Sequence, residues 1–315
     1  MVSLRIVYFG TPPFAVPGLE ALIASRHPVV AVISQPDRPK GRGHKLQLTP
    51  TKMVALAAGI PVMQPTKLKD DVFLASLSAL QPDLGIVAAY GRILPDALLA
   101  IPRLGMINIH GSLLPKYRGA APVHRAVING ERETGISIMR VVSELDAGPV
   151  FTMARVPIGD SATTPEVERV LSELGAEMVL DVVDGLAEGH ATATPQDDAA
   201  ATYASKIEKH EGAADWNQPA ARLHDLIRGL QPWPLVAGRL SGVRFLVHRS
   251  ELTMETSTAP GGTIVSGPSG VLGVAGSDGR VLQLLELQPE GKRVMSARDF
   301  LAGHRVVPGV RIERA

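Results

Sequence analysis

Two polar side chains, Asn108 and His110, lie two residues apart in the otherwise apolar run MINIHG. Alternate side chains of a β-strand share one face, so we expect Asn108 and His110 to lie side by side while Ile107 and Ile109 enter the core. An amide can donate a hydrogen bond to a carbonyl oxygen, and an imidazole can also move a proton. The pattern indicates acid–base chemistry on a carbonyl group, although two satisfied polar groups at a strand end fit the same four residues.

A carboxylate, Asp146, follows a later apolar run in SELDAGPV, where Ala-Gly-Pro indicates a tight loop. On its own Asp146 is typical of a turn. In open α/β sheets, however, ligands bind beyond the carboxyl ends of the strands, so Asn108, His110 and Asp146 are expected to meet in one crevice. A carboxylate beside an imidazole favours its protonated form and fixes its tautomer. The apolar turn SLLP after His110 has backbone groups that could hold a flat heterocycle.

Short apolar runs alternate with amphipathic stretches through the first two-thirds of the chain. LRIVYFG, PVVAVISQ, DLGIVAAYG, GMINIHG and TGISIMRVV predict strands, whereas residues 13–25, DVFLASLSAL and residues 164–188 predict helices. Continuous apolar strands separated by helices are typical of a mostly parallel sheet covered on both faces. The pattern predicts a doubly wound, Rossmann-like α/β domain over residues 1–188.

The remaining sequence has a different pattern. Residues 189–205 are mostly small and polar without a period, as in a linker. Over residues 206–315, one helical patch precedes short strand candidates separated by glycine-rich turns. Such spacing is typical of a small β-barrel, here of the oligonucleotide-binding (OB) type.

The composition and the absence of several motifs exclude some classes of function. The 315 residues carry a formal net charge of +1 and contain no cysteine, which excludes disulfides, thiolate nucleophiles and Cys-ligated metals. G-x-G-x-x-G, the P-loop pattern and HExxH are absent, so we predict neither a nicotinamide cofactor nor a metal. We see no secretory signal or membrane-spanning run, and expect a bacterial cytoplasmic protein.

The most basic segment is QPDRPKGRGHKLQLTPTK, residues 35–52. It contains Arg38, Lys40, Arg42, Lys45 and Lys52 but only one acid, Asp37. With three prolines and two glycines it predicts a long, exposed, mobile loop, which in an arbitrary protein would be a solvated linker.

The stretch NIHGSLLPKYRGAAPVHRAVINGERETGISIMRVVSELDAGPV resembles the core of the 10-formyltetrahydrofolate-dependent formyltransferases, with SLLPxYRG and LDAGP at that family's spacing. AAYGRILP matches the family's other folate-side segment. FGTPPFA, QPDRPKGRG and QPWP are most similar to the members that act on methionyl-tRNA, and the resemblance covers nearly the whole chain.

The resemblance implies transfer of a formyl group from 10-formyltetrahydrofolate to the α-amine of methionyl-initiator tRNA by a monomer without a metal. It implies Asn108, His110 and Asp146 as catalytic residues. It also implies a folate site formed by Ser112, Leu113, Leu114, Pro115, Ala89, Tyr90, Gly91, Arg92, Ile93 and Leu94. For tRNA binding it implies Arg38, Lys40, Arg42 and Lys45, with Arg42 at the family's critical arginine, and Lys206 and Lys209 extend that track.

Other functions share parts of this pattern. A formyltransferase acting on a small amine, such as glycinamide ribonucleotide or an amino sugar nucleotide, would have the same catalytic core. A formyl-folate hydrolase could use the same site, but its relatives do not share the basic GRG loop and QPWP. A non-catalytic RNA-binding protein could have kept the fold.

Overall fold

The computed structural model of the chain describes residues 2–40, 45–266, 271–304 and 306–315. The chain forms two compact units that are each discontinuous in sequence. Unit 1 comprises Met1–Pro122, Thr134–Val156 and Glu168–Ala204, and unit 2 comprises Val123–Glu133, Pro157–Val167 and Ser205–Ala315. Patterning gave no sign that residues 123–133 and 157–167 group with the carboxyl-terminal part. The domain boundaries proposed from composition remain a prediction.

The strands that lie mainly in unit 1 include short β-branched and aromatic runs such as IVYFG and VVAVI. In chain order they are β1 (Ile6–Gly10), β2 (Val29–Ile33), β3 (Arg38–Lys40), β4 (Lys45–Gln47), β5 (Val62–Met63), β6 (Leu84–Ala88), β7 (Met106–His110), β8 (Arg118–Gly119), β9 (Glu133–Arg140), β10 (Val150–Pro157) and β11 (Tyr203–Ala204).

Three of the described α-helices start at a residue whose side chain caps the first turn. The Asp70 carboxylate, for example, accepts a hydrogen bond from Phe73 N at 3.0 Å at the start of one helix. In the described residues the α-helices are α1 (Val16–Ile23), α2 (Pro50–Ala57), α3 (Asp71–Ala79), α4 (Asp96–Leu99), α5 (Pro122–Ile128), α6 (Thr164–Glu188), α7 (Ala220–Gly229) and α8 (Ala297–Gly303).

The main sheet of unit 1 has the strand order β10-β9-β7-β6-β1-β2-β5. The pairs from β7 to β5 are parallel, whereas β9 runs antiparallel to β7. β1 is buried along its whole length, and Val7 and Phe9 pack in a cluster with Phe73 and Tyr90. Burial on both faces explains the continuous apolar runs of the central strands, and the predicted α/β class is confirmed.

Helix α6 covers the strand that carries the two polar residues. A Cβ added at Gly175 would lie 2.7 Å from Ile109 Cγ2, so the glycine permits close packing of the helix on β7. The helix spans the residues predicted from its period of 3.6. Its close packing fixes the apolar face of β7, which leaves the opposite face of the strand for chemistry.

The described part of residues 35–52 differs from the irregular loop that we expected. β3 and β4 pair antiparallel, with Arg38 opposite Gln47 and Lys40 opposite Lys45, and α2 begins at Pro50. A two-stranded ribbon needs no apolar face to satisfy its backbone, and Thr49 followed by Pro50 is a standard helix start. Arg42 lies outside the described residues.

Unit 2 contains an antiparallel sheet. Its strands are β12 (Val236–Leu240), β13 (Val243–Thr256), β14 (Ile264–Ser266), β15 (Leu272–Ala275), β16 (Arg280–Pro289), β17 (Met295–Ser296) and β18 (Glu313–Arg314). The order is β14-β15-β16-β13-β12-β18, with β17 paired to β16.

The sheet of unit 2 curls so that its two edges approach. Ile264 N donates to Val310 O at 2.8 Å and Ile312 N to Gly262 O at 2.8 Å, which joins the β14 end to the segment before β18. Phe245, packed between Trp216 and Phe300, lies in the core. The expectation of a small, OB-like β domain is confirmed, and its antiparallel sheet is curled.

Candidate active site

Strand β7 presents Asn108 and His110 on one face, as its alternation predicts. Ile107 is fully buried and Ile109 is 4% exposed, while Asn108 is half-buried. The His110 ring is also buried, with 5% of its side chain exposed. The imidazole therefore lies in a desolvated position beside the half-buried amide, and hydrogen bonds to a reacting group are stronger there than in water.

Backbone geometry assigns the tautomer of His110. Its Nε2 lies 3.1 Å from the carbonyl oxygen of Tyr117. A carbonyl oxygen can only accept, so Nε2 carries a hydrogen and donates it. The other nitrogen, Nδ1, faces the Asp146 carboxylate, with Oδ2 at 3.8 Å. Nδ1 is therefore the ring atom that is available to bind a substrate oxygen or to exchange a proton.

Asp146 meets His110, but by a different route from the one that the sequence indicated. β9 runs antiparallel to β7, with Arg140 opposite Ile107, so the carboxyl end of β9 lies at the start of β7. The loop from 141 to 149 must then return along β7 to bring Asp146 to His110. The three predicted catalytic residues are in one place, although the rule of parallel strand ends accounts for only two of them.

The Asp146 carboxylate is held by the backbone of the SLLPKYRG segment. Gly119 N donates to Asp146 Oδ2 at 2.8 Å. The aspartate has a φ of +48°, in the left-handed region, which an aspartate tolerates better than most residues. Gly119 has a φ of +126°, and a Cβ there would lie 2.6 Å from Ala204 O, so only glycine allows this donor to reach the carboxylate.

The turn after His110 is tightly bonded internally. Ser112 is fully buried, and its hydroxyl donates to Lys116 O at 2.6 Å. The Ser137 hydroxyl donates to Ser112 O at 2.7 Å and accepts from Leu114 N at 3.2 Å. These groups are engaged within the protein, so a ligand at this turn would meet other groups, including Leu113 and Pro115, which are half-buried. The folate role of the turn remains a prediction.

Residues 89–94 follow β6, next to β7, and therefore lie at the same edge of the sheet as the turn. Ala88 is opposite Ile109 across the two strands. Within the segment Tyr90 and Leu94 are buried in the core. The remaining residues, Ala89, Gly91, Arg92 and Ile93, are exposed.

Tyr90 is anchored through its main chain. Its carbonyl accepts from Gln35 Nε2 at 3.1 Å, and its ring packs edge-on against Phe9. Burial raises the pKa of the Tyr90 phenol, and the charge of Arg92 acts in the opposite direction. Arg92 in turn donates to the carbonyls of Pro65 and Thr66. The exposed positions of this segment, Ala89, Gly91 and Ile93, therefore offer a small apolar surface at the edge of the sheet.

The predicted tRNA-binding residues occur in both units. Arg38 is exposed on the β3–β4 hairpin of unit 1, and Lys40 and Lys45 pair in the same ribbon. Lys206 and Lys209 are exposed in unit 2. The fifth cation of the segment, Lys52, instead donates to Asp37 Oδ2 at 2.5 Å and so belongs to the base of the hairpin.

The described residues contain no cluster of three or more histidine or carboxylate side chains suited to binding a metal ion. Over the same residues, no helix combines the length and apolar character needed to cross a bilayer.

Comparison with known proteins identifies the family. Residues 4–183 match the formyl transferase family, and residues 206–305 match the formyl transferase C-terminal domain. The methionyl-tRNA formyltransferase of Moorella thermoacetica is 46% identical over 307 residues, which cover 97% of this chain and 98% of the relative. The chain belongs to the formyl transferase family.

Other comparisons agree. The methionyl-tRNA formyltransferase of Methylococcus capsulatus is 46% identical over 301 residues, covering 96% of this chain and 97% of that protein. An N-formyltransferase of Helicobacter canadensis, solved in complex with folinic acid and dTDP-3-aminofucose, superposes with a TM-score of 0.68 over 91% of this chain and 99% of that one. At 18% identity this last comparison supports the fold alone. The family indicated by the sequence motifs is confirmed.

Proposed function

We propose that this formyl transferase moves the formyl group of 10-formyltetrahydrofolate to the α-amine of methionine esterified to initiator tRNA. The observation that carries the proposal is that relatives of this name align over 97% or more of their own length, at 46% identity. The site fits such a reaction because Asn108, His110 and Asp146 supply hydrogen-bond donors and a carboxylate at one place. The nucleophile belongs to the substrate, so no cysteine or activated serine is required.

The first step forms a bond between the amine nitrogen and the formyl carbon, and the formyl oxygen gains negative charge. The Asn108 amide and the protonated Nδ1 of His110 donate hydrogen bonds to that oxygen. The Nε2 hydrogen is already donated to Tyr117 O, which holds the ring so that Nδ1 faces the reaction. Loss of one such donor typically raises a barrier by about 2.7 to 4 kcal/mol.

The second step breaks the bond between the formyl carbon and N10. The amine must lose a proton, and Asp146, acting through a water molecule, accepts it. N10 must gain a proton as it leaves, so the net proton balance is zero. A positioned acid–base group contributes about 10² to 10⁴ in rate. The 3.8 Å between Asp146 Oδ2 and His110 Nδ1 lets the carboxylate also stabilise the imidazolium.

The folate donor is assigned to the edge formed by residues 89–94 and 112–115. Ala89, Gly91 and Ile93 offer exposed surface after β6, while Leu113 and Pro115 offer apolar surface after β7. The Ser112 hydroxyl donates to Lys116 O and so holds the turn, and contact of Ser112 with the folate stays a prediction. A flat pteridine ring lying along this edge would have its formyl group directed towards Asn108 and His110.

The tRNA is assigned to the predicted cationic residues. Arg38, Lys40, Arg42 and Lys45 would contact phosphates of the acceptor stem, and Lys206 and Lys209 would contribute further phosphate contacts. Such contacts give affinity that falls as salt rises. Recognition of RNA is concentrated at ends and unpaired bases, which suits a substrate delivered at an acceptor terminus. We also assign the enzyme to the bacterial cytoplasm as a monomer.

The test is formyl transfer from 10-formyltetrahydrofolate to methionylated initiator tRNA, run beside methionylated elongator tRNA and a reaction without tRNA. We expect formylmethionyl-tRNA from the initiator alone. Release of formate without tRNA would replace the proposal with a hydrolase. Transfer to a small amine in preference to tRNA would assign the chain to a different branch of the family, and RNA binding without any turnover would mean that the site is inactive.

A further inference from the structure

Residues 194–204, which we call the strap, make a series of hydrogen bonds within unit 1. Thr194 forms a two-way backbone bridge with Val150, and Ala204 O accepts from Ala120 N at 2.9 Å. β11 within the strap pairs with β8. Composition indicated a linker here, but these contacts fasten the strap across the two loops that carry the partners of His110.

Gln196 of the strap clamps the loop that contains Asp146. Its Nε2 donates to Asp146 O at 2.8 Å and to Gly148 O at 2.7 Å. A non-glycine residue in the left-handed region costs of the order of 1 kcal/mol or more, and persists only when its surroundings fix it. The two hydrogen bonds that Gln196 donates to the carbonyls of Asp146 and Gly148 fix the loop in its left-handed conformation at Asp146.

Arg118 sets the orientation of the Gln196 amide. Its Nε and Nη2 donate to Gln196 Oε1 at 3.1 and 2.9 Å, so the NH₂ side of the amide must face Asp146 and Gly148. The guanidinium is buried, with 5% of the side chain exposed, and Asp198 of the strap accepts from it at 2.6 Å. A buried arginine of unit 1 therefore fixes the orientation of the Gln196 amide.

Thr202 holds the opposite side of the imidazole. Its hydroxyl accepts from Tyr117 N at 2.9 Å and its carbonyl from Arg118 N at 2.9 Å. Tyr117 also has a left-handed backbone, with a φ of +60°, and its carbonyl accepts from His110 Nε2. Both groups that flank the His110 ring thus lie on residues with positive φ, and the strap bonds to each of those residues.

We propose that Gln196 is a positioning residue, which acts on catalysis by holding Asp146 against His110. The inference rests on the proposed function, because it assigns Asp146 a role in proton transfer. Gln196 is not expected to touch either substrate. Its effect should therefore appear in turnover and should depend on the presence of Asp146.

The kinetic test is Gln196→Met, which keeps the length of the side chain and removes both N–H donors. Displacement of a catalytic group by about 1 Å can cost ~10²-fold in rate, so we expect kcat to fall by about 10- to 100-fold. KM for both substrates should stay at the wild-type value. The matched control is Gln218→Met, which removes a half-buried glutamine whose amide donates to Asp215 O and should leave kcat unchanged.

A double-mutant cycle then separates positioning from general support of the fold. In an Asp146→Ala background, Gln196→Met should cause no further loss in single-turnover rate, because the group that it positions is gone. A loss that multiplies with that of Asp146→Ala would overturn the proposal. So would a wild-type kcat for Gln196→Met, or a rise in both KM values without a fall in kcat.

Amide hydrogen exchange tests the positioning without any activity assay. In Gln196→Met, peptides covering 116–120 and 144–150 should exchange faster, and in Gln218→Met they should match wild type. Gly119 N, which donates to Asp146, is the informative amide. Unchanged exchange would overturn the inference. Wild-type protein that fails to formylate the tRNA would instead overturn the proposed function, and the exchange result would still decide the role of Gln196.

Discussion

The end of β7 and the β3–β4 hairpin are held in opposite ways, although both belong to unit 1. At the end of β7, the buried His110 ring is bonded at Nε2, and the carboxylate facing it is bonded in turn by Gly119 N. On the hairpin, Arg38 and Leu46 are exposed, and Leu46 has 68% of its surface open to solvent.

The hairpin is anchored at its base. Asp37 accepts hydrogen bonds there from Lys52 Nζ at 2.5 Å, from Gln64 Nε2 at 2.9 Å and from Thr49 N at 3.3 Å.

The difference between the buried end of β7 and the exposed hairpin corresponds to two different requirements of the enzyme. A reacting oxygen must meet donors within a few tenths of an ångström, whereas phosphates along an RNA backbone can be met by long, exposed side chains. Changes at the strand end should therefore act on turnover, and changes on the hairpin should act on tRNA binding.

The largest effect is expected at the strand end. His110→Ala and Asp146→Ala should each lower kcat by about 10²- to 10⁴-fold, because each removes a proton-transfer group. Binding of tRNA, measured by titration, should be unchanged. His190→Ala is the matched control, since that histidine has 69% of its side chain exposed. Equal losses of turnover and tRNA binding would contradict the assignment of these two residues to turnover alone.

A smaller and different effect is expected from the basic residues of the segment 35–52. Arg42→Ala and Arg38→Ala should each raise KM for tRNA and leave KM for the folate and kcat unchanged. A plot of log KM against log salt should lose about one unit of slope for each phosphate contact removed. Arg169→Ala, an exposed arginine on α6, is the control. If tRNA kinetics and their salt dependence stay at wild-type values, the hairpin has no part in RNA binding.

The smallest effect is expected at the base of the hairpin, and it depends on pH. Burial would raise the pKa of the Asp37 carboxyl, but hydrogen bonds from Lys52 and Gln64, the charge of Lys52 and the Thr49 amide together lower the pKa below its usual value. A carboxyl with a lowered folded-state pKa stabilises the fold above its unfolded pKa, and this contribution is lost as pH falls through the folded pKa.

Asp37→Asn should therefore lower the melting temperature at pH 7 by about 2 °C. The difference from wild type should shrink as pH falls below about 4. Asp181→Asn, which changes an exposed carboxylate on α6, is the control. A constant difference across this range would mean that the ionised carboxylate is not what anchors the hairpin.

Much of unit 1 could be predicted because its signals are local. The strands β1, β2, β6 and β7 are apolar because the sheet is buried on both faces. The period of α6 arises because the helix buries one stripe of its surface. β10 was missed because its sequence, VFTMARVP, is neither apolar throughout nor strictly alternating between apolar and polar residues. The hairpin was missed because a short ribbon has no apolar pattern.

The residues of the candidate site were predicted from the sequence, but the path by which the chain brings Asp146 to His110 was not. Nothing in TGISIMRVV indicates that β9 runs antiparallel, since strand direction depends on pairing with distant residues. The contributions of Tyr117 O and Gly119 N were also missed, because backbone groups leave no residue type to recognise. Gln196 lies among small polar residues without a period, and only its contacts distinguish it.

The strap has a consequence for how such enzymes can be recombined. Sequence composition changes near residue 188, where a designer of chimaeras would place the junction between a catalytic module and a transplanted RNA-binding module. A junction there would give residues 194–204 to the wrong parent, and the groups that bond Asp146, Gly148 and Tyr117 would then have been selected against different loops. Functional exchange of the carboxyl-terminal module, in the laboratory or in evolution, should favour crossover points after Ala204.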